Sequence, residues 1–152
     1  MPTRREMLGR SAALASLMGG LGLLPAPAQA LYASAAFEAA SVAGVVRALG
    51  LSAPVESPQV ALQAPDIAEN GAAVSLGCGT TLPGVRRLLL LVDRNPSPLC
   101  AMFEVSDRIE ASFGLRAKMS QSSDVLAVAI MADDRVFYAR RHVEVTLGGC
   151  GA

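Results

Sequence analysis

The spacing of hydrophobic residues changes once along the chain, and the change predicts where helix gives way to sheet. The proline-free segment from Ala35 to Leu49 carries apolar residues three and four positions apart, as on one face of a helix. These residues are Val42, Val45, Val46 and Leu49. Ser34 can cap the start of this helix and Gly50 its end. Residues 31–58 are therefore predicted to form one short helix and a proline-marked linker.

Beyond residue 58 apolar residues recur at every second position, which is typical of strands with one buried face. The run Leu88–Val92 is apolar throughout and indicates a strand buried on both faces. The predicted strands cover residues 60–62, 72–78, 86–92, 99–105, 111–119, 125–131 and 136–147. Seven short strands with frequent turns predict an immunoglobulin-like, all-β antiparallel sandwich over residues 59–147, with a small barrel as the alternative.

Residues 1–30 have the pattern of an export signal. A twin-arginine pattern at Thr3–Leu8 precedes a mildly apolar stretch from Ala12 to Leu24, and Ala28-Gln29-Ala30 is an A-x-A cleavage site. The apolar stretch is shorter than the roughly 20 residues of a membrane anchor. We therefore expect the twin-arginine translocase to deliver the folded chain to an oxidising bacterial periplasm, with an ordinary Sec signal as the alternative.

Composition removes several function classes. Lys and Arg total 13, equal to Asp and Glu, and aromatic residues make up 4% with no Trp, so a nucleic-acid partner is not expected. His142 is the single histidine and the three cysteines have no zinc-site spacing, so we expect neither a metal site nor a cofactor.

The C-terminal sequence Gly148-Gly149-Cys150-Gly151-Ala152 carries the strongest functional signal. Three glycines around one cysteine predict a mobile, thin arm of about 10 Å with a thiol near its tip. No His or Lys lies in the tail, and a thiol of ordinary pKa (about 8.5) is only a few per cent ionised at neutral pH. Visiting enzymes must then supply the chemistry, which favours a covalent carrier over an enzyme.

Three segments resemble one known family. They are Ala64-Pro65-Asp66-Ile67-Ala68-Glu69-Asn70-Gly71, Asn95-Pro96-Ser97-Pro98 and Val145-Thr146-Leu147-Gly148-Gly149-Cys150-Gly151-Ala152. In these segments the chain resembles SoxY, the cysteine-bearing subunit of the SoxYZ sulfur carrier in bacterial thiosulfate oxidation. The resemblance covers nearly the whole mature chain, including the leading helix and the signal.

The resemblance implies an immunoglobulin-like fold and a set of partners. Cys150 would bind sulfur intermediates covalently, on a heterodimer with a SoxZ-like subunit exported together with this chain. Its enzymes would be a haem-containing SoxAX-type enzyme, a SoxB-type hydrolase and, as an optional member, a sulfane dehydrogenase. We also expect the partner subunit to cover an apolar face left by the Leu88–Val92 strand.

The chain departs from the family pattern at its tip and in its cysteine count. Ala152 replaces the usual final glycine, a small change, whereas Cys78 and Cys100 are additional. A disulfide between Cys78 and Cys100 would leave the arm free and stabilise the fold by roughly 3 kcal/mol. Two separate buried thiols are the alternative.

The remaining polar motifs have simpler interpretations. Asp133-Asp134 and Glu69-Asn70-Gly71 are predicted to be turns. Arg140-Arg141 and His142 are expected on an exposed strand edge, where the arginines could guide anionic thiosulfate. Besides the thiosulfate carrier, three hypotheses remain open. The chain could be a carrier for another periplasmic oxidation system, a structural module that uses Cys150 for an interchain disulfide, or a thiol enzyme. The sequence disfavours the enzyme, because no base or resolving cysteine lies at the spacing of a known motif.

Overall fold

A computed structural model describes residues 33–146, and these begin with two short helices. Helix α1 covers residues 33–38 and helix α2 covers Val42–Ala48, so the prediction of one continuous helix was wrong. The break has a local cause. Ser41 adopts an extended backbone (φ −150°, ψ 156°) and its Oγ accepts the Gly44 N–H at 3.0 Å, which makes Ser41 the N-cap of α2. The predicted end is confirmed, since Gly50 has a φ of 61° and closes the helix.

Nine strands follow in the described part of the chain. They are β1 Val55–Glu56, β2 Val60–Gln63, β3 Ile67–Ala68, β4 Val74–Thr80, β5 Val85–Val92, β6 Leu99–Glu104, β7 Ser112–Ala117, β8 Ser123–Met131 and β9 Val136–Val145. Each of the seven predicted strands is present. The two additional ones, β1 and β3, have two residues each and pair in parallel with β9, which departs from the fully antiparallel prediction.

The strands form two facing sheets. The large sheet has the order β1-β9-β8-β5-β6, with β3 also paired to β9, and the small sheet has the order β2-β4-β7. Side chains between the sheets form the main core, to which Leu76 and Cys78 contribute from the small sheet and Leu90 and Val143 from the large one. The predicted all-β sandwich is confirmed.

The central strand β5 is buried on both faces, as its apolar run predicted. Leu88, Leu90 and Val92 enter the core between the sheets. On the other face, Leu89 and Leu91 belong to a second core that includes residues of both helices. The expectation that this strand leaves an apolar face for a partner was therefore wrong, because the chain's own helices cover it. Among the described residues, no helix combines the length and hydropathy needed to cross a bilayer.

Candidate functional site

The site predicted from sequence begins where the described residues end. Cys150 and its neighbours Gly148, Gly149 and Gly151 lie outside the described residues, and Thr146 is the last residue that the structure describes. Cys150 follows Thr146 by four residues, a distance of at most about 14 Å for extended chain. The structure therefore defines the strand end from which the arm starts.

Strand β9 is held on both edges at this end. On one side the Glu144 N–H donates to the Asp66 carbonyl at 2.9 Å, and the Thr146 N–H donates to the Ala68 carbonyl at 3.0 Å. On the other side the Val145 N–H donates to Ser122 Oγ at 2.8 Å. Paired backbone groups on both edges restrain the strand up to Thr146, so the arm starts from a fixed position.

The Asn70-Gly71 turn packs against the same strand end. Asn70 Oδ1 accepts the Ala72 N–H at 3.0 Å, which confirms the predicted turn. The Gly71 carbonyl accepts the Met119 N–H at 2.7 Å. A Cβ on Gly71 would lie 2.6 Å from the Met119 carbonyl oxygen and 2.9 Å from Val145 Cγ1. Gly71 is thus required because β9 and the segment after β7 approach it closely, a packing role that the turn signal did not reveal.

Carboxylates face the basic residues of β9. Arg141 donates to Asp66 Oδ1 through Nη2 at 2.8 Å and through Nε at 3.1 Å. Asp124 contacts His142 Nδ1 at 2.8 Å and lies 4.0 Å from Arg140 Nε. His142 is exposed, as expected. The arginine pair, which could have guided anionic thiosulfate, is therefore already matched by negative charge.

The two additional cysteines are free thiols in the structure. Cys78 lies on β4 of the small sheet and Cys100 on β6 of the large one. Burial raises the pKa of Cys78 to about 11. Burial also raises the pKa of Cys100, although hydrogen bonds involving Val92 and Asn95 act in the opposite direction. Of the two arrangements that the sequence left open, the structure has two separate thiols, of which Cys78 is buried and Cys100 is half-buried.

The acidic pair Asp133-Asp134 forms the β8–β9 turn, as predicted. Asp134 has a φ of 66°, and the Asp133 carboxylate accepts the Arg135 backbone N–H at 3.2 Å. That hydrogen bond lowers the pKa of Asp133. Among residues 33–146, no group of three or more His, Cys, Asp or Glu side chains is arranged to hold a metal ion.

Comparisons with known proteins identify the family to which the chain belongs. The structure of the sulfur carrier protein SoxY from Chlorobium limicola f thiosulfatophilum is similar over 69% of this chain and 94% of its own, with 31% sequence identity and a TM-score of 0.61. A superoxide reductase (neelaredoxin) from Ignicoccus hospitalis covers 58% of this chain and 80% of its own with a TM-score of 0.52, but at 12% identity it shares the fold alone. No curated protein matches.

A family model described as sulfur oxidation protein SoxY matches residues 46–150. The match begins in α2, includes all nine strands, and ends at Cys150. The matched region therefore includes both the end of β9 and the cysteine that follows it. On this match and on the likeness to the Chlorobium protein, the chain belongs to the SoxY family of sulfur oxidation proteins.

Proposed function

We propose that this protein is a periplasmic carrier that holds sulfur intermediates covalently on the Cys150 thiol during thiosulfate oxidation. The observation that carries the proposal is the family match, which extends to residue 150 and so includes the glycine-flanked cysteine. The fixed end of β9 adds physical support, since a carrier must present its thiol from a defined origin to several enzymes in turn.

Loading joins the Cys150 sulfur to the outer sulfur of thiosulfate. The thiol loses its proton, an S–S bond forms, and two electrons leave to an acceptor, for which the haem-containing SoxAX-type enzyme is our candidate. The product is Cys–S–S–SO₃⁻. Water then cleaves the bond to the sulfonate group in the SoxB-type hydrolase, which releases hydrogen sulfate and leaves a persulfide on Cys150. A sulfane dehydrogenase would oxidise that remaining sulfur.

The internal cysteines are poor competitors for this role. The thiolate is the reactive form, and burial raises the pKa values of both Cys78 and Cys100. Cys78 is also only 3% exposed, so thiosulfate and enzymes have little access to it. Selectivity for Cys150 then follows from the environment of the other two thiols and needs no activating base in the arm.

The proposal includes a SoxZ-like partner subunit. Twin-arginine export of a folded protein allows a partner without its own signal to leave the cytoplasm with this chain. Copurification from the periplasm of the host tests this directly. A monomeric chain without a SoxZ-like subunit would contradict the heterodimer.

Mass spectrometry of protein from thiosulfate-grown cells tests the carrier function. We expect sulfur-containing adducts on the peptide with Cys150, their loss in Cys150→Ser, and their retention in the matched control Cys100→Ser. Cys150→Ser should melt at the wild-type temperature, because the substitution lies beyond the last strand. An interchain cross-link or an unmodified thiol would instead support a structural module. Adducts that form without thiosulfate would indicate another oxidation system.

A further inference from the structure

A cavity of about 460 Å³ lies between α2 and the outer face of the large sheet. Val45 and Val46 of α2 line one wall, and apolar side chains of β5 and β8 line the floor. The floor residues are Leu89, Leu91, Leu126 and Val128. Protein interiors contain few voids larger than a water molecule. A space of this volume is instead in the range that holds a small organic ligand.

The residues that follow α2 keep this cavity open. Leu51 and Pro54 both line it. Between them, the Ser52 hydroxyl donates to the Asp134 carbonyl at 2.7 Å, which ties this segment to the β8–β9 turn. The helix wall is anchored as well, since Val45 is fully buried in the second core. The walls therefore cannot close onto the floor without breaking these contacts, and a preformed cavity lowers the cost of binding a ligand.

The cavity has a polar end at β9. Among the described residues that line it, Tyr138 and Arg140 carry the polar side chains. Tyr138 is half-buried and Arg140 is exposed, so this end opens to solvent. Arg140 Nε lies 4.0 Å from Asp124 Oδ2, which is longer than a hydrogen bond. The guanidinium N–H groups can therefore donate to a ligand whose apolar part lies deeper in the cavity.

The charges around this end disfavour an anionic ligand. Asp124 offsets the charge of Arg140, and His142, which contacts Asp124, adds no charge in its neutral form. Glu56 is exposed and pairs with Tyr138 in the β1–β9 ladder, which places a second carboxylate at the same end. Two carboxylates and one guanidinium repel an anion. An uncharged carbonyl oxygen can accept from the guanidinium without that repulsion.

We propose that this cavity binds an apolar molecule with an uncharged carbonyl at one end, such as an acyl ester or a long-chain ketone. The hydrocarbon chain lies against Leu89 and Leu91, and the carbonyl oxygen accepts from Arg140. The bound molecule contacts both α2 and the large sheet, so it stabilises the folded protein. The inference does not rest on the carrier function, since Cys150 takes no part in these contacts.

Titration with 2-decanone tests the site in the protein purified from its host, together with any partner subunit that copurifies. We expect shifts of the backbone amides of Val46, Leu89 and Val128 and a higher melting temperature. Arg140→Met removes the donors but keeps the apolar stem, and should weaken binding about ten-fold. The matched control is Arg141→Met on the opposite face of β9, which should bind 2-decanone as the wild type does.

Two further measurements test the head group and the location. Decanoate, an anion of the same carbon count, should bind about ten-fold more weakly than 2-decanone. Val46→Trp should abolish binding, because the indole fills the cavity beside α2. Equal or tighter binding of decanoate, unchanged binding in Arg140→Met, or amide shifts that persist in Val46→Trp would overturn the proposal. Shifts that appear only after a partner subunit is removed would also overturn it, because the cavity would then be a subunit contact.

Discussion

Replacement of Gly71 by alanine should destabilise the protein more than its single added methyl group suggests. The new Cβ would lie 2.6 Å from the Met119 carbonyl oxygen and 2.9 Å from Val145 Cγ1. Ordinary contacts begin near 3.4 Å, so each neighbour must move by about half an ångström or more. The Met119 oxygen belongs to the backbone and cannot rotate away. Its residue also donates to the Gly71 carbonyl at 2.7 Å, so the two segments have to separate together.

Overpacking of this kind costs about 1–3 kcal/mol of unfolding free energy. For a domain of this size the melting temperature should fall by roughly 5–10 °C. The effect should be local as well as global. Because Val145 is one of the two contacts, amide hydrogen exchange should increase most at Glu144 and Thr146, whose N–H groups bond to the segment before Gly71.

Gly114→Ala provides the matched control on the same sheet. Its Cβ would meet only the Leu76 carbonyl oxygen, at an ordinary 3.7 Å, and alanine loses less conformational entropy than glycine in a strand. We expect Gly114→Ala to be neutral or to stabilise by about 0.5 kcal/mol in urea denaturation. If Gly71→Ala matches Gly114→Ala in stability and in hydrogen exchange, then close packing of Gly71 against the end of β9 is not what restrains this strand.

Three further predictions concern the core, the thiols and the arm. Leu90→Ala, at a fully buried position, should cost about 2–5 kcal/mol in urea denaturation, and a loss below about 1 kcal/mol would contradict the burial of Leu90 in the core between the sheets. At pH 8 a small disulfide reagent should modify Cys78 at least ~100-fold more slowly than Cys150, because burial raises the pKa of Cys78 to about 11, whereas an exposed thiol of ordinary pKa (about 8.5) has a thiolate fraction more than ~100-fold larger. Urea should expose all three thiols, and equal rates in the native protein would show that Cys78 is accessible. Gly149→Val should change reaction with a small reagent by only a few-fold but reduce enzymatic loading at least ~10-fold; unimpaired loading would mean that the partner enzymes do not enclose the arm.

The strands could be predicted from the sequence because buried side chains in a sandwich recur at every second residue of a strand. Alternation located seven strands, and the apolar run Leu88–Val92 correctly indicated burial on both faces. The sequence did not show what covers the outer face of that run, since any apolar layer produces the same pattern. Nor did it reveal β1 and β3, because two residues are too few for a periodic signal and both depend on pairing with β9.

The helix break and the charge pairing were missed for related reasons. Ser41 lies inside the Ala35–Leu49 segment that was predicted as one helix, directly before Val42, and only its own backbone conformation shows that it caps a second helix. Asp66 and Arg141 are far apart in sequence, so the pair that neutralises this arginine depends on the register of β3 against β9. Local signals such as Asn70-Gly71 and Asp133-Asp134 succeeded, because a turn needs only its own residues.

The two-residue strand β3 contributes too few hydrogen bonds to matter greatly for the stability of the large sheet. Its position gives it a different importance, because it pairs with Glu144 and Val145 at the end of β9. A fixed origin confines Cys150 to a radius of about 14 Å. The β6–β7 loop lies at the other end of β7, beyond that radius. From Ser112 to Met119 the chain spans about 23 Å at the rise of a strand, and Met119 lies near the end of β9. Under the proposed carrier function, enzymes that act on Cys150 must therefore bring their centres to the β3 end of the sandwich, and changes at that end should impair loading before changes elsewhere on the surface do.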